Sequence, residues 1–202
     1  MFYRTDLNDH GLPHDPFKAI VSPRPIAWVS TLNPDGSANL APYSFFNAFN
    51  DTPPMVAFSA GTKKIGLDET KDSLVNAREQ GEFTANIVSN VLAQQMNIST
   101  NHFPAGVDEF EKSGLTKAAG ETVKCPFVSN APAALECKLW KILELPGGNY
   151  HMVIGEVTGI HIREDLIKEG RYDTAGAQHL ARLGYRDYAR VDSLFELNRP
   201  DD

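Results

Sequence analysis

The stretch Arg24-Pro25-Ile26-Ala27-Trp28-Val29-Ser30-Thr31, followed by Asn33-Pro34-Asp35-Gly36 and then Ser37 to Tyr43, carries the first decision about the fold. Ile26 to Thr31 is short, β-branched and aromatic, a composition that suits a pleated strand. The Asn-Pro-Asp-Gly cluster supplies the dihedrals of a tight turn, since Pro pre-sets φ and Gly admits positive values. A hairpin follows, with Ala38 and Leu40 on one face of its second strand and Ser37 and Asn39 on the other.

Beyond that hairpin, Pro53-Pro54 resets the chain before a third strand, Met55 to Ala60, because a Pro pair cannot donate ladder hydrogen bonds. Three strands therefore precede any helix. Asp72 to Gln80 reads as the first helix, with Asp72 as N-cap and Gly81 as the stop. Glu82 to Ser89 alternates Phe83, Ala85 and Ile87 against Glu82, Thr84 and Asn86, which predicts a strand with one wet face; Asn90 to Asn97 follows as a helix. Residues 101–133 hold Pro104, Gly106, Gly114, Gly120, Pro126 and Pro132, a loop-rich excursion with one short helix near Asp108 to Lys112. Ala134 to Leu145 and His151 to Arg163 flank Pro146-Gly147-Gly148-Asn149, the strongest long-hairpin signal in the chain. Six or more strands with few helices and short connections predict a mainly β protein. A small antiparallel barrel with helical insertions fits better than a doubly wound sheet.

The bulk composition agrees. A chain of 202 residues with 42% hydrophobic and 22% charged residues reads as one globular domain spanning residues 1–202. Its formal net charge of -7 disfavours broad attachment to nucleic acid or to an anionic membrane, so any anionic ligand must be met by local charge. No apolar run approaches the roughly 20 residues of a membrane helix. The first ten residues include Arg4, Asp6, Asp9 and His10 rather than an apolar signal segment, so the expected location is cytoplasmic. Cys125 and Cys137 match no metal-ligand spacing, and no metal site is expected. Cys137 alternates with Leu135 and Leu139 as a small apolar side chain on the core face of a strand.

No dinucleotide-binding glycine fingerprint, phosphate-binding loop, nucleophile elbow or zinc-protease motif occurs. Three polar-aromatic segments remain: Ser22 to Thr31, Asn39 to Asn47, and Phe58-Ser59-Ala60-Gly61 through Lys71-Asp72-Ser73. In these segments, in the Pro-Pro before Val56-Ala57-Phe58-Ser59, and in Glu82-Phe83, His151 and Arg182-Leu183-Gly184, the sequence resembles the flavin reductase-like FMN-binding split-barrel family, the group of flavoredoxin and nitrilotriacetate monooxygenase component B.

The resemblance implies an FMN-binding split barrel acting as an NAD(P)H:flavin oxidoreductase, with NADH or NADPH as co-substrate. It equally admits an FMN-bearing electron carrier without its own nicotinamide reaction, or a barrel that has lost its ligand. It further implies a homodimer and a monooxygenase partner for reduced flavin. An FMN site needs an anion-binding end, an apolar shelf and hydrogen bonds to the ring edge. Lys63, Lys64 and Lys71 gather ahead of the first helix, whose free amides with Asp72 and Ser73 suit a phosphate. Ser44, Asn47 and Ser73 offer neutral hydrogen bonds, Ser59 counts among the cofactor-binding candidates, and Trp28, Phe45 and Phe46 offer flat faces. Trp28 has the alternative of a core position, with Ser30 or Thr31 reaching the flavin instead. The resemblance places His151 near the ring as the catalytic candidate and returns Arg182 and Tyr188 towards it. His151 and His161 are expected on one face of a strand, with His161 structural.

Overall fold

The computed structural model describes residues 1–63, 70–101, 103–104 and 106–200. Its first part runs α1 (Phe17–Ile20), β1 (Arg24–Pro25), β2 (Ala27–Leu32), β3 (Ala38–Tyr43), β4 (Phe46–Asp51), β5 (Pro54–Gly61), α2 (Asp72–Gln80) and β6 (Glu82–Ile87). After a 3-10 turn come α3 (Ala93–Ile98), α4 (Glu109–Lys112), β7 (Lys117–Ala118) and β8 (Phe127–Val128), then the long hairpin β9 (Ala133–Glu144) and β10 (Tyr150–Ile162). The chain ends through β11 (Ile167–Lys168), β12 (Arg171–Tyr172), α5 (Thr174–Ala177), β13 (Leu180–Arg182) and β14 (Tyr188–Arg190). Among the described residues no helix is long and apolar enough to cross a membrane.

Seven strands form one antiparallel sheet in the order β3-β2-β6-β9-β10-β5-β4. Its two edges, β3 and β4, are consecutive in sequence and joined through Ser44 and Phe45, yet they do not pair, so the barrel is split rather than closed. Ala27, Val29, Tyr43, Val56, Phe58, Phe83, Cys137, Val153 and Val157 fill its interior, with Leu74 and Ala77 of α2. A second core, on the other side of β2, joins Ile26, Trp28, Leu40, Val88, Met96, Phe110, Val128 and Leu180. Double coverage explains the unbroken apolar run Ile26 to Val29, since a strand buried on both faces has no reason to alternate.

Four expectations need correction. A helix, α1, precedes every strand, and five strands rather than three precede α2: Phe46–Asp51 (β4) is a largely exposed edge strand with no apolar alternation to mark it, and β1 is a two-residue bridge to β13. β6 has no wet face: the excursion through residues 113–132 covers it. Thr84 Oγ1 donates to the Cys125 carbonyl at 3.0 Å, and Asn86 bridges the Trp28 carbonyl and the Val128 amide at 2.8 Å each. The N-cap of α2 is Lys71, in extended backbone and with no side-chain capping bond, and Asp72 is its first helical residue. Gly81, in the left-handed conformation at φ 71°, does stop that helix. Finally, an extra residue of β10 between Val157, opposite Cys137, and Gly159, opposite Glu136, turns His161 to the opposite face from His151 and Val153.

Candidate functional site

A first cleft of about 260 Å³ opens where α2 begins, lined by Asn39, Tyr43, Lys71, Ser73, Phe103 and Glu109 among others. The hairpin β2–β3 supplies one wall and the segment from Ser99 to α4 another. Lys71 sits half-buried as the helix cap, its Nζ 5.3 Å from the centre of the Tyr43 ring, and burial lowers its pKa. A cation that has lost part of its water layer, placed beside amides that have no partner within the helix, is a strong local attractor for an anion. Burial pushes the Tyr43 phenol up to about 12, so it remains neutral.

A second cleft, about 300 Å³, is lined by Arg24, Ser44, Phe45, Phe46, Asn47, Phe49, Ser59 and Met152 with their neighbours. Its character is aromatic. The buried Ser59 hydroxyl has no hydrogen-bond partner among the described residues, an arrangement with an energetic cost unless something else completes it. Arg24 donates to the carbonyls of Lys18, Val21 and Leu183 and stands 5.9 Å from the Phe45 ring centre. The two clefts are linked along Tyr43-Ser44-Phe45 and across Tyr150, whose ring is 6.1 Å from that of Phe45. A Cβ added at Gly61 would lie 3.8 Å from the Tyr150 ring and 3.9 Å from Lys71 Cε, so the same short strand end touches both regions.

The expected site residues thus divide. Lys71, Asp72 and Ser73 line the first cleft; Ser44, Phe45, Phe46, Asn47 and Ser59 line the second. Trp28 does not reach either surface: it is fully enclosed, and its Nε1 donates to Ser99 Oγ at 2.8 Å, so it meets the first cleft only through Ser99. Ser30 and Thr31 are likewise fully buried; Thr31 belongs to a polar network beneath the cleft, and Ser30 Oγ has no partner among the described residues. His151 is half-buried at the barrel mouth, opposite Ala60, with Nδ1 3.3 Å from Thr62 Oγ1. Lys63 pairs across to Thr70, while Lys64 lies outside the described residues. Arg182 stands directly opposite Arg24 in the β1–β13 ladder and over the Tyr188 ring at 4.4 Å, but neither Arg182 nor Tyr188 lines the second cleft; Tyr188 lies instead in a separate hollow against α3, with Ala93, Met96 and Leu180.

Arg24 and Asn39 fall within the polar-aromatic segments but carry no individual signal there, and Glu109 lies outside them. Glu109 is a buried carboxylate in the first cleft, and an Asp-capped amphipathic turn gives no hint that its glutamate points inward.

The flavin reductase like domain model matches residues 21–181. An uncharacterized protein of Deinococcus radiodurans is 41% identical over 189 residues, covering 90% of this chain and 82% of its own. Among solved structures, nitrilotriacetate monooxygenase component B from Bacillus cereus is similar at a TM-score of 0.87 and 29% identity, covering 98% of both chains. The 2-nitrobenzoate 2-nitroreductase NbaA of Pseudomonas fluorescens is similar at 0.86 and 31% identity, with 99% of this chain and 96% of that one covered.

Proposed function

The chain belongs to the flavin reductase-like family, and from that premise we propose that it is an FMN-binding oxidoreductase that passes hydride from NADH or NADPH to the flavin. The observation that carries the reading is the linkage of a helix-start cleft that holds Lys71 to an aromatic one through Tyr43-Ser44-Phe45. The donor set fits the group: Lys71, the first amides of α2 and Ser73 suit a phosphate, and the phenyl rings with the partnerless Ser59 hydroxyl suit a flat heterocycle with polar edges. The redox chemistry, hydride acceptance from nicotinamide, is the flavin ring's own. The protein's part is to hold and orient. His151 would present its imidazole at the barrel mouth, fixed by Thr62.

Purified protein is expected to be yellow and to release FMN on heating, and its visible band should bleach on anaerobic addition of NADH or NADPH. FAD as the dominant flavin would contradict the assignment. A yellow protein that neither nicotinamide bleaches would instead be an electron carrier, and a colourless one that takes up no FMN would remove the proposal.

The chain is further proposed to act as a homodimer, with a monooxygenase as the consumer of its reduced flavin. β4 is an exposed edge strand whose Phe49 is 61% exposed beside the second cleft, and Trp140 of β9 is 62% exposed. Light scattering should give twice the chain mass of 22.2 kDa. A monomer that still binds FMN tightly would show that no second copy is needed.

A further inference from the structure

Glu109 is 7% exposed and lines the first cleft with Lys71 and Ser73. Its Oε1 accepts from Asn39 Nδ2 at 3.0 Å and its Oε2 from the Leu40 amide at 3.1 Å. Asn39 Oδ1 in turn accepts from Ser73 Oγ at 2.8 Å and from Thr31 Oγ1 at 3.3 Å. The ionised carboxylate sets every direction in this relay. Because it can only accept, Asn39 turns its amide hydrogens towards Glu109 and its carbonyl towards Ser73, whose single proton is then committed to Asn39. The hydroxyl at the start of α2, which also meets the neutral Tyr43 phenol, therefore has no proton left for the cleft, where an anion needs a donor.

A protonated Glu109 reverses the relay. Its O–H donates to Asn39 Oδ1, the amide turns over, Asn39 Nδ2 donates to Ser73 Oγ and faces Thr31 Oγ1 as a donor in place of the former acceptor, and the Ser73 O–H is released. The Leu40 amide keeps its acceptor throughout. We propose that Glu109 is a positioning residue that couples anion binding in the first cleft to the uptake of one proton, freeing the Ser73 hydroxyl for the anion and removing a negative charge from beside it. This rests on reading the cleft as the seat of the FMN phosphate.

The surroundings permit such a titration. Burial raises the Glu109 carboxyl to about 7, with the negative charge of Asp72 acting in the same direction and the bonds from Leu40 and Asn39 opposing. The other charged and titratable groups of the cleft are Lys71 and Asp72 from α2 and Tyr43 from β3. At the start of α4, Asp108 is engaged by the amides of Phe110 and Glu111 and by Lys117. An incoming dianion would raise Glu109 further, as any like charge does.

The test is the pH dependence of FMN affinity between pH 7 and 8.5. Wild type should weaken as pH rises, by up to about tenfold per unit for one coupled proton. Calorimetry in two buffers of different ionisation enthalpy should register uptake of a proton on binding. Glu109→Gln, whose amide donates to Asn39 Oδ1 at every pH, should bind FMN with no slope over this range, and riboflavin should show none with either protein. A slope that persists in Glu109→Gln belongs to Lys71 and overturns the proposal. An affinity that rises with pH does the same, since it reports only phosphate ionisation with its second pKa of about 6. Zero proton uptake by wild type overturns it even if the variant fails to fold. FMN that binds with clear advantage over riboflavin but without pH dependence sinks this inference alone, whereas equal affinities would remove the phosphate site beneath it.

Discussion

Replacing Glu136 by Gln is expected to cost about 3–5 kcal/mol of folding stability, the range for disrupting a buried, fully engaged charge. Glu136 lies on β9 with no exposed surface, far in sequence from the excursion it anchors. Its oxygens accept from the amides of Glu121 at 2.8 Å, Thr122 at 2.5 Å and Val123 at 3.0 Å, from Thr122 Oγ1 at 2.6 Å, and they pair with His161 Nε2. Successive amides converging on one anion form a nest. The close approach needs a glycine: a Cβ at Gly120 would fall 2.5 Å from the Val123 carbonyl and 3.2 Å from Glu136 Oε1. His161 is held in place by stacking on Phe127, with ring centres 4.1 Å apart. A Gln side chain would insert an NH2 among groups that already donate, leaving buried donors facing each other.

The same carboxylate fixes a pH dependence. Burial by itself would raise its pKa, but the bonds from Thr122, His161 and the amides of Glu121 and Thr122 outweigh that and bring it from 4.5 to about 2. An acid whose pKa is lower in the folded than in the unfolded chain stabilises the fold fully above the unfolded value, and the contribution fades as pH falls towards the folded one. The gap between wild type and Glu136→Gln in urea unfolding should therefore be widest near neutrality and shrink between pH 4.5 and about 2. A gap that stays constant down to pH 3 would mean that the substitution acts through packing rather than charge.

How much of this was readable beforehand depends on whether the signal is local. The β9–β10 hairpin could be placed because Pro146-Gly147-Gly148-Asn149 lies between two alternating runs, and α2 because Gly81 closes it. β4 could not, since an exposed edge strand that pairs with β5 alone carries no burial pattern. The polar residues Thr84 and Asn86 read as wet because nothing in their own strand reveals that the Cys125 carbonyl and the Val128 amide will meet them. In the first cleft, the lysines before α2 are a local cue, whereas the Asn39–Glu109 bond joins residues 70 positions apart and exists only after folding. His161 was placed on the wrong face by a bulge of one residue, a shift that alternation cannot register.

Changing Lys71 to Ala should weaken FMN binding by about 1–3 kcal/mol, the range for losing a charge-assisted hydrogen bond to an anion. The position makes the case. Lys71 is the N-cap of α2, so its own extended backbone hands the chain into the helix while its ammonium lies over the Tyr43 ring in the cleft that Ser73 also lines. Phosphate placed there would meet the ammonium and the first helical amides together, and both lie in surroundings where burial has already lowered the lysine pKa and screening by water is reduced. Asp72, the first helical residue, and Glu109 across the cleft add negative charge to the site, so Lys71 is the cation that an anion there must rely on. Its amide donates to the Thr62 carbonyl at 3.2 Å, a bond that alanine keeps, and the fold should survive the change. Riboflavin, which lacks the phosphate, is the control: its affinity should be almost unaltered in Lys71→Ala. An equal loss for riboflavin and FMN would assign Lys71 to the support of Tyr43 and the strand end at Gly61 rather than to the phosphate.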